Sequence, residues 1–221
     1  MCGRYALHSN PDVVALQFGL DAPPAFSPRY NISPSSEILI VRSELDGKRV
    51  AGRYRWGLIP GWAKDPAIGR KLANARGETV AEKPAFREAF RRSRCLVPAS
   101  GFYEWKLSAG KKRPWYVSQK DAGLFGLAGI SERWNGPEGP LHTVCLITTE
   151  SNQLMSAIHD RMPVILQPGD YGAWLDAGSK NPQIFIRPYP DARMEAYPVS
   201  PRVNTPKNDD PALVGRLDSE P

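Results

Sequence analysis

Cys2 stands one residue from the start of this chain, and its small side chain favours enzymatic removal of Met1. Trimming leaves one residue with both an α-amine and a thiol, whose ordinary pKa values are about 7.7–8.0 and about 8.5. Two nucleophiles on adjacent carbons suit two chemistries. The thiol can attack an acyl carbon with the amine as its base. Alternatively, the amine condenses with an aldehyde and the thiol closes onto the imine, giving a thiazolidine. A small core hydrophobe is the competing account of the same residue.

Two side chains further along could handle protons. Glu104 lies between Tyr103 and Trp105 in a strand-like run, where alternation sets it on a face with Phe102 and Lys106. Apolar neighbours would raise its pKa towards that of a useful general acid; a surface pair with Lys106 is the other reading. His159 is the one histidine within a dense polar motif. It titrates in the range that proton transfers near neutrality require, or else it is a satisfied core or loop histidine.

The elements that must position these residues read as α+β. Asn10-Pro11 is an N-cap followed by Pro at the first helical position, opening a short helix that ends near Gly19. Residues 37–41 form a strand, and Asp46-Gly47 turns it into a second strand over residues 49–56. Residues 57–65 hold too much Gly and Pro for a regular element, and residues 72–79 read as another loop. Thr79 and Glu82 suggest a capping box for a basic helix to about Arg92, although Pro84 fits best in a first turn. Strands then follow at even spacing from Cys95 to Thr149, which argues for a mainly antiparallel sheet or partial barrel. Ser151 caps a short helix before His159, residues 164–166 are strand, residues 169–177 a small helix, and the stretch from Tyr197 is irregular. With no repeat or linker, residues 1–221 read as a single domain with short flanking helices and an irregular tail from about residue 209.

A length of 221 residues, 41% of them hydrophobic, allows one sizeable core, and no apolar run reaches the roughly 18 residues of a membrane span. The start of the chain does not read as a secretory signal. Three cysteines, with no C-x-x-C pair, argue against a disulfide framework or structural zinc, so the expectation is a reduced, cytoplasmic monomer without metal or cofactor. The net charge of +6 is uneven: residues 1–113 hold 20 Lys/Arg against 10 Asp/Glu, and the remainder 9 against 13. Arginine outnumbers lysine in the basic half, which favours phosphate recognition and hence nucleic acid as a partner.

Seven stretches together resemble one family: Met1-Cys2-Gly3-Arg4-Tyr5, Arg29-Tyr30-Asn31-Ile32-Ser33-Pro34, Arg55-Trp56-Gly57-Leu58-Ile59-Pro60, Asn74-Ala75-Arg76-Gly77-Glu78-Thr79, Gly101-Phe102-Tyr103-Glu104-Trp105, Ile158-His159-Asp160-Arg161-Met162-Pro163 and Pro198-Val199-Ser200. This pattern is similar to the SRAP family, the SOS-response-associated peptidases, from residue 2 to about residue 208. The resemblance implies a sensor of abasic sites in single-stranded DNA, nucleoid-associated when bound. Its N-terminal cysteine would crosslink to the sugar aldehyde through a thiazolidine. It implies Cys2 as nucleophile, Asn74 as orienting residue, Glu104 as acid–base for sugar opening and condensation, and His159 as a proton handler near the linkage. The peptidase label reflects removal of Met1.

Arg4, Arg76 and Arg161 lie within these motifs and can fork onto phosphate oxygens, or can form internal ion pairs, as Arg161 could with Asp160. Pro34, Trp62 and Trp105 could stack on bases or wedge a strand apart. Some members of the family carry a second aromatic after the tryptophan where this chain has Ala63, which reduces the expected wedge. Cys95 and Cys145 sit in apolar strands as packing. Two other functions compete. A glutamine amidotransferase also opens Met-Cys-Gly, but Arg4 and Tyr5 do not continue its pattern, and Trp134-Asn135-Gly136 reads as an isolated turn. A non-covalent module reading modified DNA would leave Cys2 and Glu104 without a role.

Overall fold

A computed structural model describes residues 2–217. In chain order, β1 (Tyr5–Leu7), α1 (Pro11–Phe18), β2 (Arg29–Ile32), β3 (Glu37–Ser43), β4 (Arg49–Trp56) and β5 (Asn74–Arg76) make the first part. Then come α2 (Arg87–Arg92), β6 (Arg94–Ala99), β7 (Gly101–Ser108), β8 (Lys111–Gln119), β9 (Phe125–Gly136) and β10 (Gly139–Glu150). The last elements are α3 (Gln153–Ser156), β11 (Arg161–Pro163), β12 (Ile165–Leu166), α4 (Tyr171–Leu175) and β13 (Met194–Pro198). The class is α+β, mostly antiparallel.

One sheet has five strands in the order β13-β8-β7-β1-β2. The other has eight, and within it β10 pairs both β4 and β9, so that β10, β4, β3, β6 and β9 close on themselves as a small partial barrel. Its wall is apolar on both faces: by register Ile40, Trp56, Leu127, Val144 and Leu146 share one face, Leu96 and Ile130 lie on the other, and all are buried. The seam is short. Only Thr143 and Val144 of β10 meet Arg55 and Trp56 of β4, and β5 continues that edge in parallel with Leu146, Ile147 and Thr148.

Several local expectations are corrected. Residues 74–76 are a strand rather than loop, because the parallel edge of β10 supplies pairing that no local pattern announces. The helix predicted from Thr79 begins only at Arg87; residues 79–86 form turns around Pro84, which lacks an N–H for continued helix bonding. The cap of α3 is Asn152, whose side chain accepts from the Met155 N–H, rather than Ser151. Trp134 lies within β9, not a turn. Residues 194–198 form an edge strand against β8, so Tyr197 and Pro198, expected to be irregular, are paired. By contrast, Asn10 caps α1 and Gly19 ends it in the left-handed conformation, as the Asn-Pro and Gly signals required.

Two buried polar side chains hold the frame. The Arg94 guanidinium donates to the carbonyls of Phe90, Arg91, Trp174 and Asp176, satisfying chain ends of α2 and α4 that would otherwise be orphaned. Asn31 does the same for the C-terminal segment. Its Nδ2 donates to the carbonyls of Val203 (3.2 Å), Thr205 (3.1 Å) and Asn208 (2.7 Å). Its Oδ1 accepts from Arg4 Nη1 at 2.6 Å. Asp209 then accepts from the Tyr30 and Asn31 amides, and Leu217 N–H reaches the Pro198 carbonyl. The tail beyond residue 209 is therefore tied down as far as it is described. Asn31→Ala removes these bonds and strands buried carbonyls, so it should cost about 2–3 kcal/mol. A melting temperature lowered by about 5–10 °C is expected, with faster hydrogen exchange across residues 203–208; an unchanged melt would show the segment is held by other contacts.

Candidate active site

The cleft begins with β1. Tyr5 pairs with Phe102 and Ala6 with Gly101 of β7, and the Tyr103 N–H donates to the Arg4 carbonyl at 2.9 Å. That register carries the start of the chain alongside Glu104. Cys2 is fully buried, and its carbonyl accepts from Asn74 Nδ2 at 2.9 Å. Asn74 reaches it because β5 is laid along β10. Burial pushes the Cys2 thiol far up, and the neighbouring Glu104 carboxylate adds to this, while the Arg4 backbone N–H opposes it. With Met1 in place, burial thus favours the neutral thiol over the thiolate.

Glu104 is 2% exposed, so the surface pair expected as its alternative is overturned. It sits opposite Trp115 of β8 in the ladder. Burial raises its carboxyl pKa, and His159 counters that shift. Glu104 and His159 line one open cleft of about 610 Å³, together with Trp105, Leu107, Lys112, Ile158 and Asn204. His159 is 29% exposed and follows α3 directly. Its Nδ1 lies 3.0 Å from the Arg161 N–H and 2.9 Å from Asp160 Oδ1. One nitrogen cannot serve both. The neutral ring accepts from Arg161 and keeps its proton on Nε2; the imidazolium donates Nδ1–H to Asp160.

The arginines divide. Arg4 is half-buried, with Nη1 on Asn31 and the Val203 carbonyl and its guanidinium 6.0 Å from the Trp105 ring. Arg161 forks onto Glu78, not Asp160, and donates to the Thr148 carbonyl at 2.9 Å. That contact pulls the Glu78 carboxyl below its usual range. Arg76 is exposed on β5. Arg4 Nε, Arg161 Nε and Asn74 Oδ1 are buried and make no hydrogen bond among the described residues. Polar atoms of this kind gather where a ligand would complete them.

The aromatics also divide. Trp105 is partly exposed at the cleft, fixed by Nε1 donating to Asn204 Oδ1 at 2.7 Å. Trp62 is 62% exposed, on a loop pinned by Trp134 Nε1 to the Ala63 carbonyl at 2.7 Å. Ala63 itself is buried against Ile59 and Trp134, which leaves Trp62 alone at the surface. Pro34 begins a turn with Ser35 at φ 73°, tied to the Trp56 backbone, and neither Pro34 nor Trp62 lines the cleft of Glu104 and His159. Asn31, Asn204 and Leu107 were missed from the sequence. Asn31 lay inside a quoted motif, but the other two carry no signal without the fold. Cys95 and Cys145 are buried thiols raised by burial.

The family model for SOS response associated peptidase (SRAP) matches residues 1–206. The chain belongs to the SRAP family. Among its relatives are the abasic site processing protein YoqW of Bacillus subtilis (strain 168), 46% identical over 97% of this chain and 99% of that protein, and the abasic site processing protein HMCES of Xenopus tropicalis, 32% identical over 98% and 78%. A crystal structure of a protein from Bacteroides thetaiotaomicron superposes with a TM-score of 0.87 at 29% identity, covering 98% of this chain and 100% of that one. Among the described residues no helix is long and apolar enough to cross a membrane.

The buried carboxyl has a consequence for stability. Below the ordinary carboxylate range Glu104 is protonated both folded and unfolded, and contributes nothing pH-dependent. As pH rises through that range the unfolded chain ionises freely while the folded site resists, so folding loses stability until the raised folded pKa is passed. Glu104→Gln should therefore melt close to the parent at pH 4 and increasingly above it towards pH 7, by several degrees. A difference independent of pH would mean the carboxyl is not held protonated by its site.

Proposed function

We propose that this protein captures abasic sites in single-stranded DNA, joining the α-amine and thiol of Cys2, once Met1 is removed, to the sugar aldehyde as a thiazolidine. The observation that carries the reading is the buried Glu104 carboxyl beside Cys2, in one cleft with His159. An abasic sugar is mostly a closed hemiacetal. Protonation of its ring oxygen by Glu104 breaks the ring C–O bond and exposes the C1′ aldehyde as the anomeric hydroxyl loses its proton. The amine adds to C1′ and water leaves, giving the imine; Glu104 and His159 shuttle the protons. The S–H then adds across C=N: sulfur bonds to C1′ and the proton ends on nitrogen. Overall the amine, thiol and aldehyde combine with loss of one water.

The raised thiol supports this order. A thiolate attacking first, as an acyl transfer requires, is disfavoured in a site that keeps the sulfur protonated, whereas an amine-first path needs sulfur only as a neutral thiol. Asn74 holds the Cys2 carbonyl and keeps Oδ1 for the amine. Arg76, and Arg4 and Arg161 through their remaining donors, face the phosphates; Trp105, Trp62 and Pro34 meet the bases. The abasic-site names of the relatives agree with this reading. Whether any peptide other than the Met1 linkage is cut plays no part in it.

Wild-type protein should lose Met1 by intact mass and give a heat-resistant adduct with an abasic single strand without reductant. Ring closure removes the electrophilic C=N that would drive β-elimination. Cys2→Ala, retaining only the amine, should give mainly a borohydride-trappable species with more strand cleavage. An equally stable, unreduced adduct from Cys2→Ala would eliminate the thiazolidine. Glu104→Ala and His159→Ala should slow crosslinking at least about 100-fold while changing affinity for a non-reactive abasic analogue little; equal losses in both would make them binding or folding residues.

A further inference from the structure

Glu104 and Trp105 sit on β7, but the tip of the β7–β8 hairpin beyond them has no role so far, and it carries the exposed Leu107, Lys111 and Lys112. Leu107 pairs with Lys112, and Ser108 with Lys111, across a two-residue turn at Ala109 (φ 47°) and Gly110 (φ 75°). Both turn residues are left-handed, the geometry that matches the twist of paired strands and gives a stiff, tight hairpin. A left-handed alanine costs about 1 kcal/mol, so the turn is not the cheapest available.

The arm's composition is one-sided. Lys106, Lys111, Lys112 and Arg113 fall within it, and no carboxylate occurs in the sequence between Glu104 and Asp121. Leu107 is 68% exposed, one of few large apolar side chains so placed. Trp105, Leu107 and Lys112 share one face by strand alternation and register, and all three line the cleft that holds Glu104 and His159. Leu107 lies about 7 Å beyond Trp105 along the strand. Glu104 points to the other face by the same alternation, so this face starts at Trp105 on the rim of the cleft and runs outward from an aromatic ring to an aliphatic side chain abreast of a cation. That sequence of surfaces complements a nucleotide: apolar area for a base or sugar, positive charge for its phosphate.

We propose that Leu107 and Lys112 form a subsite for a nucleotide flanking the abasic sugar, Leu107 packing against its base and Lys112 neutralising its phosphate. The subsite rests on the single-strand reading of the same cleft and extends it by a nucleotide on one side. A protein partner with an acidic, apolar segment is the other occupant that this surface could attract, and it becomes an outcome of the test.

The test measures binding of a single strand containing a tetrahydrofuran abasic analogue, by fluorescence anisotropy across a salt series. The proteins are wild type, Leu107→Ala, Lys112→Ala and, as a lysine loss away from the cleft, Lys48→Ala between β3 and β4, where Lys48 pairs with Asp21 at 2.7 Å. Lys112→Ala should weaken binding about three- to tenfold at low salt and reduce the log–log salt slope by about 0.7, one phosphate's worth on a single strand. Leu107→Ala should weaken binding a few-fold at every salt concentration with the slope unchanged. Lys48→Ala should match wild type. Trimming the strand progressively from each end should abolish both defects when one flank is shortened and leave them intact when the other is. All side chains changed are exposed, so folded protein is expected, and circular dichroism checks it.

If wild type binds and crosslinks while Leu107→Ala and Lys112→Ala are indistinguishable from it, the subsite is overturned and the reading of the active site stands. Equal defects in Lys48→Ala, or defects that persist whichever flank is removed, also overturn it, because they reflect general charge or a surface meant for another partner. If wild type neither binds the analogue nor crosslinks an abasic strand, both proposals fall together.

Discussion

The register of β1 is the constraint on which the rest depends. Three residues, Tyr5–Leu7, pair with β2 on one side and β7 on the other, so the first ordered strand is an interior strand of the five-stranded sheet. An interior strand satisfies its backbone groups on both edges and cannot slip by one residue without turning Tyr5 and Leu7 out of the core. What precedes it is therefore placed as rigidly as a core residue. Chain ends ordinarily fray; here the pairing suppresses that freedom and delivers Cys2 to a fixed point beside a carboxyl.

Stability is given up at that point. Glu104 is kept in an environment that disfavours its charge, and polar atoms of Arg4, Asn74 and Arg161 remain buried without hydrogen bonds among the described residues. The surrounding frame offsets these costs with ordinary means: a closed apolar barrel, Arg94 on four carbonyls, and Asn31 on three. Charge follows the same division. Part of the basic half is consumed internally, by Arg4 on Asn31 and the Val203 carbonyl, Arg29 on Asp209 and Arg94 on backbone, so a surplus of cations in the sequence overstates what faces solvent.

Legibility from sequence followed the range of the interactions. Asn10-Pro11 and Gly19 bracket α1, and Asp46-Gly47 joins β3 to β4, because those signals are completed within a few residues. The strand at Asn74–Arg76 and the edge strand at Met194–Pro198 were not legible, since each exists only through a partner about 70 to 80 residues away. Cys2 and Glu104 were candidates on chemistry, but their adjacency depends on the β1–β7 pairing, and the resemblance to a family supplied what periodicity could not. Asn204 and Leu107 gained meaning only when the cleft was assembled around them.

The anchoring of the last segment on Asn31 of β2 has a temporal side. Val203, Thr205 and Asn208, which accept from its amide, lie at the far end of the chain, as does the carbonyl that holds Arg4. On a ribosome these acceptors are made last and emerge later still. Until then β2 carries an amide group with no internal partner, and the guanidinium next to the amino terminus lacks one of its two anchors. The geometry of the first residues is thus contingent on the final tenth of the polypeptide, and a truncated or nascent chain contains every reactive group without the arrangement that aligns them.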